Sequence, residues 1–146
     1  MTRFETTVAI ARARDAVFAY VADPRHFPAW NSAVDSVVPR NDATPAAGGR
    51  YVMQRELPTG AATNELEIVT LRPPEELAIG TTSGPTPFLY RYEFATTSAG
   101  TLVSLHADVR VGGAASLLGP LAAQAIKRGV DANLATLRDI LERADS

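Results

Sequence analysis

The stretch Thr101-Leu102-Val103-Ser104-Leu105-His106-Ala107-Asp108-Val109-Arg110-Val111, followed after Gly112-Gly113 by a helical repeat from Ser116 to Arg143, decides how this chain folds. In its first part Val103, Leu105, Ala107, Val109 and Val111 alternate with Ser104, His106, Asp108 and Arg110. That period of two marks a strand with one face on a core and the other in water. In its second part Val130, Leu134, Leu137 and Leu141 recur at helical spacing, while Lys127, Arg128, Asp131, Arg138 and Glu142 lie mainly off that stripe. Gly119-Pro120 kinks this helix or marks its true beginning. A half-buried strand that feeds a long amphipathic helix predicts a sheet laid against that helix.

Upstream, the same period of two recurs. Phe4, Val8 and Ile10 fall at even spacing in Arg3–Ile10, and further strands are predicted at Val37-Val38, Arg50–Leu57, Thr63–Arg72, Glu76–Thr82 and Phe88–Thr96. Pro39 to Gly49 reads as a loop, and Pro58-Thr59-Gly60, Pro73-Pro74 and Ser83-Gly84-Pro85 are turn signals short enough to join antiparallel neighbours. Two short helices interrupt the strands after the first. Val17, Phe18 and Val21 share one side of Asp15–Ala22, and Asp23-Pro24 pairs a capping carboxylate with a proline suited to the first turn of a helix running to Trp30. The expectation is one α+β domain over residues 1–146, with about seven antiparallel strands curved around the C-terminal helix.

Bulk properties narrow the function. The chain has 146 residues, 46% of them hydrophobic and 21% charged, enough for a packed core without staples. Zero cysteines remove disulfides, thiolate metal sites and a cysteine nucleophile. A net charge of -2 argues against nucleic acid as a partner. The apolar run Ala114–Ile126 is broken by Ser116, Gly119, Pro120 and Gln124 and is too short for a transmembrane segment. The N-terminus lacks a basic region followed by an apolar run, so a cytoplasmic location is expected.

A curved sheet of this size around one helix leaves space to fill. The helix is rich in small residues at Ala122, Ala123, Ala125, Gly129, Ala132 and Ala135. Those residues either leave an apolar cavity or allow close packing of helix on sheet.

The segment Val17-Phe18-Ala19-Tyr20-Val21-Ala22-Asp23-Pro24, with Phe27-Pro28-Ala29-Trp30-Asn31, resembles the START and polyketide cyclase/dehydrase (SRPBCC) superfamily. Arg72-Pro73-Pro74, the strand opening at Gly100-Thr101 and the closing helix from Asn133-Leu134 to Leu141 extend the resemblance nearly end to end. It implies the helix-grip fold, with a pocket for lipids, polyketides or other apolar molecules. Members range from carriers to cyclases and dehydratases, so fold alone does not assign chemistry.

The expected pocket lining is Trp30, Tyr51, Met53, Arg55, Phe88, Tyr90, Tyr92, Leu121 and Ala125. Phe88, Tyr90, Tyr92 and Phe94 form an aromatic row on one side of a strand, with Phe94 the one best suited to plain core packing. Buried phenols need partners that a ligand oxygen can supply. Arg55 shares a face with Tyr51 and Met53 and is either an inward cation in need of a partner or a solvated arginine outside the sheet. His106 is placed on the outer face and His26 is placed as exposed. Glu93 is placed to pair across the sheet with His106 or Arg110. Two distant histidines without cysteines make no metal set, and no cofactor motif is present.

Three functions follow. The first is a small hydrophobic molecule held in the cavity; the second is a polyketide cyclase or dehydratase using the same cavity. The third is a membrane-surface or protein-partner module built on Leu117, Leu118 and Leu121 beside Lys127 and Arg128. A homodimer is the other assembly considered. No catalytic residue is assigned.

Overall fold

The computed structural model describes residues 2–41, 44–57, 60–110 and 120–144. Strand β1 (Thr2–Ile10) is followed by helix α1 (Arg14–Val21), a single 3-10 turn (Pro24–His26) and the short helix α2 (Phe27–Trp30). Six strands come next: β2 (Val34–Pro39), β3 (Arg50–Leu57), β4 (Gly60–Arg72), β5 (Glu76–Ser83), β6 (Phe88–Thr97) and β7 (Gly100–Val109). Helix α3 (Pro120–Ala144) closes the chain. Asp23 begins the 3-10 turn as expected of a cap: its side chain accepts a hydrogen bond from Arg25 N–H, and Pro24 fills the first turn.

The strands form one antiparallel sheet in the order β1-β7-β6-β5-β4-β3-β2. The register sets Phe4 opposite Ala107, Val8 opposite Val103, Tyr90 opposite Ala107 and Tyr92 opposite Leu105. All these side chains therefore share one face. Irregularities at Val34/Ser36, Glu65/Leu66 and Ile68/Thr70 accentuate the bend of the sheet, as bulges do. Helix α3 lies along β1 and touches α2. Between β1 and the helix, Thr6 Oγ1 donates to Asp131, which also pairs with Lys127 at 3.0 Å.

Much of the space between sheet and helix is filled. Leu134, Leu137 and Leu141 are buried with Leu66, Ile68, Leu77, Ile79, Val103 and Leu105. Each such side chain contributes about 1.5–3 kcal/mol from burial. Among the described residues, the space left open beside α3 on this face is a small void near α2. The small residues of α3 do not line that void.

Two strand boundaries differ from the sequence expectation in a way that the pairing explains. Strand β2 runs to Pro39, whose missing N–H suits the edge of the sheet. Strand β4 starts at Gly60, so it pairs with β3 along the whole length of Arg50–Leu57. The start of the final helix before Pro120, the end of the β7 pattern at Val111, and Leu117 and Leu118 lie outside the described residues.

Candidate functional site

The void lies where α2, the start of β2, β3, β6 and α3 converge, and its volume is about 110 Å³. Strand alternation brings Met53 and Arg55 from β3, and Phe88, Tyr90 and Tyr92 from β6, to the same face. Phe27 and Asn31 come from α2 and the residue after it, Ala33 and Val34 enter with β2, and Asn133 descends from α3. Asn133 Nδ2 donates to Asn31 Oδ1 at 3.4 Å, and Ser32 N–H donates to Asn133 Oδ1 at 3.2 Å. These bonds tie the helix to the loop at one side of the void.

Arg55 is the charged group of the site, and it points inward. Nε donates to Asn64 Oδ1 at 2.7 Å, and Nη2 donates to the carbonyls of Pro85 and Thr86 at 2.8 and 2.9 Å. The guanidinium carbon stands 5.7 Å from the centre of the Phe88 ring, a cation–π distance. Burial lowers the Arg55 pKa, and the neighbouring Tyr90 works in the opposite direction. No carboxylate pairs with Arg55 among the described residues.

Asn64 holds this arrangement. It is fully buried, and its Nδ2 donates to the carbonyls of Ser83 and Pro85 at 3.0 and 2.9 Å. The turn it pins has Gly84 at φ 100° and Thr86 at φ 50°, Thr86 being the non-glycine residue with positive φ among the described residues. A Cβ at Gly84 would stand 2.3 Å from Thr63 O and 2.6 Å from Asn64 Nδ2, so only glycine lets the turn lie on Asn64. The sequence carries a signal for Asn64 that the expected lining leaves out: it falls in phase with the buried Leu66 and Ile68, not with Glu65 and Glu67. Asn31 and Asn133 have no comparable signal, because their meeting depends on where α3 crosses α2.

Besides Arg55 and the amides of Asn31 and Asn133, the wall carries two phenols. Burial pushes the Tyr90 pKa up to about 12, with Arg55 pulling the other way, and burial pushes Tyr92 still higher. Both are therefore protonated donors at neutral pH. Their rings meet edge to face at 6.4 Å, and Tyr92 meets Trp30 in the same manner at 6.4 Å.

The remaining expected lining residues lie elsewhere. Trp30 is buried behind the wall between Phe27 and Tyr92, and its Nε1 has no hydrogen-bond partner among the described residues. Tyr51 is fully buried beyond Met53, with its hydroxyl 3.7 Å from where a Cβ at Gly49 would stand. Leu121 is 67% exposed and Ala125 is also exposed, which corrects their placement at the pocket. The reason is helical phase. Leu121 precedes Val130, and Ala125 precedes Leu134, by nine residues; at about 100° per residue that is half a turn away from the buried stripe. Phe94 packs in the core edge to face with Phe18 at 5.0 Å.

His106 faces outward between Glu5 and Glu93, at 3.1 and 2.8 Å. Glu93 thus pairs with His106, not Arg110. His26 is only partly exposed, because it stacks on Tyr20 at 4.2 Å and its Nδ1 lies 2.8 Å from Tyr20 O. Among the described residues no cluster of histidine and acidic side chains suits a metal ion, and no helix is long and apolar enough to cross a membrane.

A curved seven-stranded antiparallel sheet gripping a long C-terminal helix, with two short helices after the first strand, is the helix-grip fold of the START-like superfamily. A family model described as polyketide cyclase / dehydrase and lipid transport matches residues 1–142, and the chain belongs to that family. No curated protein matches. Among solved structures, a protein of Thermus thermophilus is similar over 99% of both chains, at 17% identity and a TM-score of 0.79. A START superfamily protein of Mycobacterium smegmatis is similar over 99% of both chains, at 14% identity and a TM-score of 0.75. The di-domain ARO/CYC StfQ of the steffimycin biosynthetic pathway is similar at 21% identity and a TM-score of 0.75, over 99% of this chain and 52% of StfQ. These likenesses establish the shared fold.

Proposed function

We propose that this domain binds a small, largely apolar molecule in the void beside β6. The observation that carries this reading is the composition of the wall: Phe27, Val34, Met53 and Phe88 supply apolar surface, and a few polar atoms of Arg55, Tyr90, Tyr92, Asn31 and Asn133 converge on it. Apolar walls with a few convergent polar groups are typical of ligand sites. At about 110 Å³ the void is smaller than the ~300–1,000 Å³ of drug-sized pockets, and close to the roughly 150 Å³ that admits benzene in an engineered core. The ligand is therefore of single-ring scale. Burial would supply most of the affinity, at ~25 cal/mol per Å² before entropic costs.

The test is native mass spectrometry after incubation with a mixture of small apolar metabolites. Retention of a ligand is expected, with its loss in Ala33→Trp, where an exposed position at the edge of the void is filled. Absence of any retained molecule, with no gain in thermal stability, overturns the reading.

A second reading is an enzyme of the cyclase or dehydratase type, favoured by the placement of the protonated Tyr90 beside Arg55 and by the family's description. The wall would hold a polycarbonyl segment in a reactive conformation, Arg55 would polarise a carbonyl, and a phenol would pass a proton. On this reading Tyr90→Phe lowers turnover more than it lowers binding. Equal losses leave a carrier.

A further inference from the structure

We infer that the void selects a carboxylate, an apolar acid of about one ring whose anionic head sits on the Nη1 edge of Arg55. This rests on the reading of the void as a ligand site and adds the ligand's charge. The first support is a count of donors. A guanidinium has five N–H groups. The single proton on Nε and the two on Nη2 are committed to Asn64, Pro85 and Thr86. The two on Nη1 have no partner among the described residues, and Arg55 lines the void.

The second support is charge. The three acceptors of Arg55 among the described residues are neutral, so its half-buried cation has no counter-ion among them. Removing a cation from water costs several kcal/mol unless an opposite charge or strong hydrogen bonds compensate. Among the described residues the other polar groups at the void are phenols and amides, and no carboxylate lines it. Outside the described residues the only acidic positions are Asp42 and Asp145. A neutral ligand oxygen can satisfy the phenols, whereas only an anion also cancels the charge.

The third support is preorganisation. Asn64 and the Ser83–Thr86 turn hold the guanidinium on one edge, and Phe88 stacks beneath it. A planar fork fixed before binding loses little entropy when a carboxylate docks on it. An arginine placed merely to staple the turn would need no access to the void.

Calorimetric titration of the protein at pH 7 with benzoate and with benzamide, its neutral analogue of nearly equal shape, tests the inference. Benzoate is expected to bind at least tenfold more tightly. In Arg55→Met the preference falls to twofold or less, and Arg55→Lys keeps part of it. Equal binding of the two probes by the unaltered protein overturns the inference and leaves the apolar site standing. A preference that survives intact in Arg55→Met overturns it as well. Binding of neither probe also overturns it, and the retention experiment then judges the site on its own. Should Arg55→Met fail to fold, the probe pair on the unaltered protein and on Arg55→Lys still decides.

Discussion

Arg55 Nε donates to Asn64 Oδ1 across 2.7 Å, and Asn64 in turn holds two carbonyls of the β5–β6 turn. A buried amide with all of these bonds made positions the cation above it and the turn beside it. Asn64→Ala removes one hydrogen bond each from the Ser83 carbonyl, the Pro85 carbonyl and the Nε edge of Arg55, and Pro85 keeps its bond from Arg55 Nη2. At about 0.5–1.5 kcal/mol net for each hydrogen bond, partly recovered by water at the exposed carbonyls, a loss of about 1–3 kcal/mol is expected from urea unfolding. The benzoate preference should weaken with it. A loss below about 0.5 kcal/mol would show that Asn64 is not the support described.

Gly84 tests the same support from the turn side. A methyl there collides with Thr63 O and Asn64 Nδ2, in a backbone conformation that L residues rarely adopt. Gly84→Ala is expected to destabilise by about 1–3 kcal/mol. Thermal unfolding measures it, and a neutral outcome would mean that the turn yields freely.

The phenols predict alkaline instability. Tyr90 has a folded-state pKa of about 12, above the ordinary value of 10.0, so between those limits the unfolded chain releases its proton first. The stabilisation is whole below pH ~10 and is lost as pH rises through the folded value. Tyr92 adds to the effect in the same direction. Urea midpoints should fall across this window, and the fall should be shallower in Tyr90→Phe.

Acid sensitivity has a different source. Burial raises the Asp23 pKa, but hydrogen bonds from the Arg25 side chain and backbone and the Arg25 charge outweigh it, leaving the carboxyl below its ordinary value. The stability it contributes is present above the usual carboxylate range and lost as pH falls through the lower folded value. Asp23→Ala also removes the cap of the 3-10 turn, at ~1 kcal/mol near neutral pH. Its unfolding free energy should depend less on pH below about 4 than that of the unaltered protein.

The two faces of α3 should respond oppositely. Leu137→Ala empties a fully buried position and is expected to cost about 2–5 kcal/mol. Leu121→Asp alters an exposed one and should stay within about 0.5 kcal/mol. Denaturant midpoints separate the two. A large cost at Leu121 would place it in a contact that its exposure denies.

Local periodicity in the sequence determined the elements. Alternation along Thr101–Val109 marked β7, and the leucine repeat marked the face of α3 that is buried, because each pattern is imposed by the geometry of a few successive residues. Alternation also set Arg55 in phase with Tyr51 and Met53. Whether that arginine met water or the interior lay with residues distant along the chain. Asn64, Pro85 and Thr86 come to it only through the pairing of β3 with β4 and the turn into β6. The void was decided at the same level. Leu121 and Ala125 carried suitable chemistry but sit half a turn from the packed stripe, while Asn31 and Asn133 meet because α3 crosses α2 at that point. A chain's period records which side of an element is covered; what covers it, and what space is left, follows from how the elements pack in three dimensions.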